Sequence, residues 1–469
     1  MSKWVGGSAP VQVHVVPIGV LYVAASARDA GAEQVRVVES SLDCATDEEY
    51  VALLKAFEPD VVGFRSIIFF LTELQRLARL TRQHSEATIV AGGPIVQAFG
   101  ADLFRRVPEV DIAVKGEGER TFARWLRGEP AASLDGVCYR DGDRTVENPD
   151  AAGIENLDGL RFPAYDLIDL ARYERQLSYT YNHRRQGILV TGRGCAYDCT
   201  FCFQQSKRLW LRSAASVFDE IVNLHDRHGV RDFYIVDDIF NVSARRASEL
   251  FDRIIASGLE IRLYFANGLR ADIMTEALVD QAIRAGAIWF TYAIESASEE
   301  IQRLTRKHVN LEKAHRLISY TQRQQVAVNV STMYGFPTET RAQAQQTLDW
   351  LGTLPRPSLL PYHFCLRFFP GCEIREQALA AGWTPEQLEA SSECAYHDLP
   401  AGTPTLSRAE MAGIALEYHE RFSLKNRAAV RQAVGTLQHV GYRDEEILDM
   451  YAVLSRKPVR SIAELVGNA

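Results

Sequence analysis

The 469-residue chain has no run of about 20 apolar residues, the length that a membrane-crossing helix requires. Its best apolar stretch, 61–71, is broken by Arg65. Positive charge is not in surplus: 52 Lys and Arg face 60 Asp and Glu, giving a formal charge of −8, so the basic footprint of a nucleic-acid binder is missing. An acidic balance suits a cationic or neutral substrate better than a polyanion. No charged-then-apolar signal pattern opens the sequence, and a cytoplasmic location without membrane contact is expected. Eight cysteines are too few for a disulfide scaffold of this length. With 47% hydrophobic and 24% charged residues the composition is that of an ordinary globular protein, and at roughly 100–200 residues per domain two or three domains are expected.

What is present is alternation. Strand signals at 34–38, 60–64, 87–91 and 111–114 alternate with helical patterns such as 21–30, ended by Gly31, and 71–83. That order predicts a Rossmann-like parallel sheet with helices on both faces over 1–127. Residues 128–186 read as a flap and linker, with a hairpin at Asp141-Gly142 and Pro163 in the connector. From Gly187 the alternation resumes, with strands at 187–191, 232–236, 262–266, 288–294, 327–333 and 360–366. Helices at 217–227, 248–256 and 275–285 lie between them, with Gly229, Gly258 and Gly286 as stops. Six β/α units predict a partial (β/α)6 barrel over 187–370 rather than a closed eightfold one. Residues 371–469 read as a C-terminal helical region, with apolar spacing in 409–422 and 427–439 and helix starts at Pro385-Glu386 and Ser407.

Three cysteines are bunched in Gly194-Cys195-Ala196-Tyr197-Asp198-Cys199-Thr200-Phe201-Cys202, directly after the first barrel strand. A CxxxCxxC spacing can set three thiolates around one face of a cluster. A [4Fe–4S] cube normally takes four cysteines, so three leave one iron open to an amine and a carboxylate such as those of S-adenosylmethionine (SAM). The alternatives are a three-cysteine zinc site completed by histidine and a chance group of core thiols. Zinc sites usually pair cysteines twice, and no second pair exists here. Cys44, Cys138, Cys365, Cys372 and Cys394 are scattered; Cys365, Cys372 and Cys394 could support an auxiliary cluster, but they form no close pair and read rather as small packing groups.

The chain resembles the radical SAM enzymes, in the branch with an N-terminal cobalamin-binding-like domain, over about 17–380. The resemblance rests on the cysteine loop and on Phe233-Tyr234-Ile235-Val236-Asp237-Asp238-Ile239-Phe240 and Asn267-Gly268-Leu269-Arg270-Ala271-Asp272. It continues in Ala293-Ile294-Glu295-Ser296, Gly335-Phe336-Pro337-Thr338-Glu339-Thr340 and Phe369-Pro370-Gly371-Cys372. In the first domain Ala91-Gly92-Gly93-Pro94 and Gly116-Glu117-Gly118-Glu119 also match.

The resemblance implies roles. Cys195, Cys199 and Cys202 would hold the [4Fe–4S] cluster, and the backbone near Phe201 would meet adenine. Asp237 or Asp238 would face the methionyl ammonium; strand alternation lets only one of them point inward. Arg270 would meet the carboxylate, with an ordinary salt bridge as its equal alternative, Glu295 the ribose or methionyl portion, and the Gly335 loop the adenosyl group. Tyr334, Tyr362 and His363 are candidates for cavity-lining polar groups, or for groups that satisfy one another. The chemistry implied is reductive cleavage of SAM to a 5′-deoxyadenosyl radical, with a reductase or flavodoxin-type protein as electron donor.

Cobalamin is possible but not favoured by the residues. A DxHxxG signature is missing, since His14 lies five residues before Gly19 with no aspartate two residues ahead of it. The first domain is expected to be structural, with Gly116–Glu119 a strand-to-helix turn whose carboxylates cap the helix. The layout resembles radical SAM diol dehydratases, and radical dehydration of an aminoglycoside such as paromamine is the first expectation. A cobalamin-dependent C-methyltransferase is the alternative, and a non-catalytic iron–sulfur sensor or interaction module is an alternative of another class.

Overall fold

The computed structural model describes residues 15–174, 181–203, 206–356, 358–393, 399 and 402–467; His14 and Cys394 lie outside them. Three short runs of β-branched and small residues form parallel strands β1 (Val61–Arg65), β2 (Thr88–Gly92) and β3 (Ile112–Val114). Their register sets Val62 opposite Ile89 and Ala91 opposite Ala113. The predicted hairpin is β4 (Val137–Asp141) and β5 (Arg144–Glu147), turning through Gly142 at φ 59°. Because β4 pairs antiparallel with β3, the hairpin extends the first sheet, whose order is β1-β2-β3-β4-β5. The helix Ile18–Asp29 packs on Gly118–Leu126 beside it. The strand expected at 34–38 pairs with nothing among the described residues. Its Val35 and Val37 instead pack into the main core as isolated side chains, burial overriding strand propensity.

The second sheet holds β6 (Gln186–Leu189), β9 (Asp232–Ile235), β10 (Arg262–Leu269), β11 (Ala287–Glu295), β12 (Ala327–Tyr334) and β13 (His363–Cys365). All pair in parallel in the order β13-β12-β11-β10-β9-β6, an arc open between β13 and β6. Helices Ala214–His228 and Ala244–Ser257 start on Ser213 and Ser243, whose hydroxyls accept the Ser216 and Arg246 N–H groups, and both end on left-handed glycines. Gly286 has a different task. Its φ is 97°, and a Cβ there would lie 2.2 Å from the Ile261 carbonyl oxygen, so only glycine lets β11 begin against the start of β10. Between β6 and the first of these helices the sequence reading missed a small hairpin, β7 (Gly192–Arg193) with β8 (Trp210–Leu211), which brackets the cysteine loop.

Side-chain direction follows from register. The Tyr292 hydroxyl bonds Thr321 on the helix Leu311–Arg323, so Tyr292 faces the helix layer and Trp289, Thr291 and Ala293 face the lumen. Ala293 pairs with Ser331, and Met333 with Phe364, which carries the lumen face across to β13. Below, Tyr234 and Tyr264 stack at 4.4 Å, and Trp289 meets Tyr442 from the C-terminal region, closing the floor. The C-terminal helices are Arg408–Phe422, Arg427–His439 and Asp444–Ser455; Ser407 and Glu410 form a capping box. No helix of the described residues is long and apolar enough to cross a membrane.

Candidate cofactor site at the barrel mouth

The cysteine loop leaves β7 through Gly194, whose φ is 77° and whose Cβ position lies 2.0 Å from the Arg208 carbonyl oxygen. That close approach closes the base of the loop. Its middle is pinned from two sides: Thr200 N donates to the Thr305 carbonyl at 3.0 Å, and Ile374 N to the Thr200 carbonyl at 2.9 Å. Asp198 pairs with Lys207 at 2.9 Å and Arg306 at 2.5 Å. Cys195 is buried, Cys199 half-buried and Cys202 exposed, and all three are free thiols. Desolvation holds Cys195 and Cys199 above the ordinary thiol range, while the Lys307 ammonium pulls both down.

No three His, Cys, Asp or Glu side chains among the described residues close around a single metal ion. The three thiols nevertheless lie near enough to perturb one another electrostatically. A loop pinned at its base and middle, with three thiols that near to one another, fits a cluster held by three cysteines.

The aspartate pair separates. Asp237 is buried and accepts from Thr191 N at 2.6 Å and from the Thr191 hydroxyl, with Arg246 3.9 Å away. Burial pushes its carboxyl up to about 6, against the pull of Arg246 and these donors. It fixes the turn into β7 and has no free face for a ligand. Asp238 is exposed, and its charge bears on Cys195 and Cys202.

Arg270 is likewise committed to the protein. Its guanidinium is bidentate to Asp272 at 3.1 and 2.9 Å, donates to the Lys307 and His308 carbonyls at 2.9 and 3.0 Å, and lies 4.1 Å from the Tyr197 ring centroid. It supports the cysteine loop and the 307–308 turn, where the sequence reading had it meeting a carboxylate. Glu295 sits at the end of β11 with φ 67°, beyond a register shift, and is buried. Its partner is Lys307 at 3.3 Å, and desolvation raises its carboxyl against that pull. Lys307 escaped the sequence reading; its one signal is the Arg306-Lys307-His308 run between β11 and the next long helix.

Phe201 turns its ring edge-on toward Phe336 at 6.3 Å. Gly335 has φ 83°, and a Cβ there would stand 3.3 Å from Cys365 Sγ and 3.5 Å from Met411 Sδ. Tyr334 and His363 point into the helix layer, where His363 stacks on Tyr334 at 4.7 Å and Tyr418 at 4.8 Å and bonds Thr332 at 2.8 Å. Their rings stack without hydrogen-bonding each other, His363 Nε2 has no hydrogen-bond partner, and neither side chain lines the lumen. The lumen positions near the mouth are Val236, Asn267, Ala293, Ser331, Met333, Tyr362 and Phe364, all uncharged and each at least partly exposed.

The first sheet's carboxyl edge meets this mouth. The loop Ile67-Ile68-Phe69-Phe70 after β1 is half-exposed along its length, and Phe69 contacts Phe369 edge-on at 5.2 Å. Gly93, at φ 85°, brings the turn after β2 against Ser66; a Cβ there would be 3.0 Å from the Ser66 carbonyl. The Gly116–Glu119 turn does not cap its helix: Glu117 makes no side-chain cap bond. Its carboxylate accepts from Ile154 N at 2.6 Å and lies 3.5 Å from Arg193, and Glu119 binds Arg193 at 2.6 Å.

A parallel arc with three thiols on a loop at its carboxyl mouth, preceded by a parallel sheet whose carboxyl edge faces that loop, defines a class, and comparison with known proteins identifies it. The radical SAM superfamily profile matches residues 189–351 and the B12 binding domain profile residues 5–126. The chain carries a radical SAM domain preceded by an N-terminal B12-binding domain. It is 26% identical over 374 residues to an uncharacterized methyltransferase of Pyrococcus horikoshii, covering 78% of each chain. It is 30% identical over 329 residues to the cytidylyl-2-hydroxyethylphosphonate methyltransferase of Streptomyces wedmorensis, covering 62% of this chain and 60% of that one. Its fold is similar to the radical SAM methyltransferase TsrM of Kitasatospora setae, with TM-score 0.66 and 19% identity over 91% of this chain and 87% of that one. TsrM has also been solved with cobalamin and a [4Fe–4S] cluster bound.

Proposed function

We propose that this chain is a cobalamin-dependent radical SAM methyltransferase acting on a small molecule. One juxtaposition carries the reading: the apolar carboxyl edge of the B12-binding sheet, through Phe69 and Phe369, abuts the mouth that bears the three cysteines. Both curated relatives named above are methyltransferases, which supports methyl transfer over the dehydration first expected. The mouth argues the same way. A polycationic aminoglycoside calls for several carboxylates, and among the described residues the strand positions that line the lumen near the mouth are uncharged, with Asp238 beside the cysteines.

When bound, a cluster with SAM supplies one-electron chemistry and a corrinoid supplies a transferable methyl group. The chain's own residues do the rest. Cys195, Cys199 and Cys202 hold the cluster. Ile67, Ile68, Phe69 and Phe70, with the tight glycine turn after β2, offer an apolar seat and close backbone to a corrinoid, a fit that needs no histidine from the chain. Asp238 meets the methionyl ammonium, Lys307 beside Glu295 takes the carboxylate role expected of Arg270, and Phe201 and Gly335 border the adenosyl group. Met333, Tyr362 and Phe364 exclude water from the reacting carbon.

The test is anaerobic reconstitution with iron, sulfide and hydroxocobalamin, then desalting. About one corrinoid per chain, read by visible absorption, and S-adenosylhomocysteine formation from SAM under a low-potential reductant are expected. Protein that sheds all corrinoid while keeping its cluster and cleaving SAM would return the reading to cobalamin-free chemistry.

A further inference from the structure

Arg193 bridges the two domains two residues ahead of the first cluster cysteine. It ends β7, and its guanidinium reaches out of the barrel: Nη2 donates to Glu119 Oε1 at 2.6 Å, and Nη1 lies 3.5 Å from Glu117 Oε1. The guanidinium carbon is 5.1 Å from the Tyr22 ring centroid. All three partners belong to the first domain: Tyr22 to the helix Ile18–Asp29, Glu117 to the turn after β3, and Glu119 to the first turn of the helix Gly118–Leu126. The Arg193, Glu117 and Glu119 side chains are only 16%, 13% and 6% exposed. Desolvating one cation and two anions is poor value for stability alone, but it fixes geometry tightly, because no water can replace a lost partner. Glu117 also holds Ile154 N, so the same turn is tied to the connector between the domains.

Position makes this contact more than an anchor. The turn 115–118 lies at the carboxyl end of β3, on the edge where doubly wound sheets bind their ligands. Gly116 there has φ 67° and nothing within 4 Å of its Cβ position, so the turn has room to respond. At the other end Arg193 belongs to the β7–β8 hairpin, whose next residue, Gly194, closes the base of the cysteine loop.

We infer that Arg193 is a positioning residue that couples the two cofactor sites: occupancy at the carboxyl edge of the first sheet, sensed by Glu117 and Glu119, sets the cluster loop for SAM through Arg193. This rests on the corrinoid reading above. Coupling of this kind is reciprocal, so each ligand tightens the other by the same factor.

The experiment uses the full chain with its cluster reconstituted under anaerobic conditions. The SAM dissociation constant is titrated with and without saturating hydroxocobalamin, and the hydroxocobalamin constant with and without SAM, in wild type, Glu119→Gln and Arg193→Lys. In wild type each ligand strengthens the other by about fivefold or more. In both variants the factor falls below about twofold, while iron content and the affinity for each ligand alone stay within about twofold of wild type. A wild-type factor of one, or variants that keep the full factor, overturns the inference. If Glu119→Gln fails to hold its cluster, Glu117→Gln decides, since it removes only the longer pair: a reduced factor supports the coupling and an unchanged one overturns it. Wild type that binds no hydroxocobalamin defeats the corrinoid reading; wild type that binds it with no effect on SAM defeats only the coupling.

Discussion

Glu339 sits fully buried after β12, with one carboxylate oxygen accepting the Gly335 and Phe336 N–H groups at 2.6 and 3.4 Å and the other without a hydrogen-bond partner. Burial outweighs those donors and pushes its carboxyl up to about 8. A folded-state pKa raised above the unfolded value means that stability is greatest at low pH and is lost as pH climbs through the folded pKa. The neutral Glu339→Gln variant should lack this loss. Its stability advantage over wild type is expected to grow by about 2–4 kcal/mol between pH 5.5 and 8.5 in denaturant melts, the scale of a few pKa units. A pH-independent gap would mean that the carboxylate ionises in the fold at no cost. Residue identity alone did not disclose this. Nor did it choose between Asp237 and Asp238, because the choice turns on Thr191, which is distant from them along the chain, and on Arg246, which reaches Asp237 only from the start of the following helix.

Among the elements, the cysteine loop and its hairpin depend most on a single backbone angle. Gly194→Ala would place a methyl group 2.0 Å from the Arg208 carbonyl oxygen while demanding a left-handed φ. The angle alone costs alanine about 1–2 kcal/mol, and the clash forces the loop base open. Iron content after reconstitution is expected to fall by more than half relative to wild type, although the three cysteines are untouched; full iron loading would show that the loop closes without this contact. Most strands and helices of the barrel were legible because their periodicity and their serine and glycine caps are local signals. The β7–β8 hairpin was not, since two-residue strands carry no period. The strand expected at 34–38 failed for the converse reason: its local pattern is sound, but tertiary packing puts Val35 and Val37 to another use.

For the whole molecule, the barrel core is built by its strands and helices, and the cluster loop lies outside the sheet. Stripping the cluster with oxidant and chelator is therefore expected to leave the far-ultraviolet circular dichroism unchanged and to lower the melting temperature by only several degrees, a loss on the order of 1–2 kcal/mol. Collapse of the spectrum, as in a small zinc domain, would show that the cluster is part of the folding nucleus. The same scale separates two kinds of knowledge. The cysteine spacing, most strand positions and the motif positions were legible from the chain itself, because each depends on neighbours a few residues away. Lys307 beside Glu295, the hold of Arg270 on the Lys307 and His308 carbonyls, the inward row of uncharged side chains and the Arg193 bridge were decided by the tertiary structure alone. Each joins groups that only folding brings within a few ångströms, and at that range charge, register and desolvation, rather than sequence pattern, assign a side chain its partner.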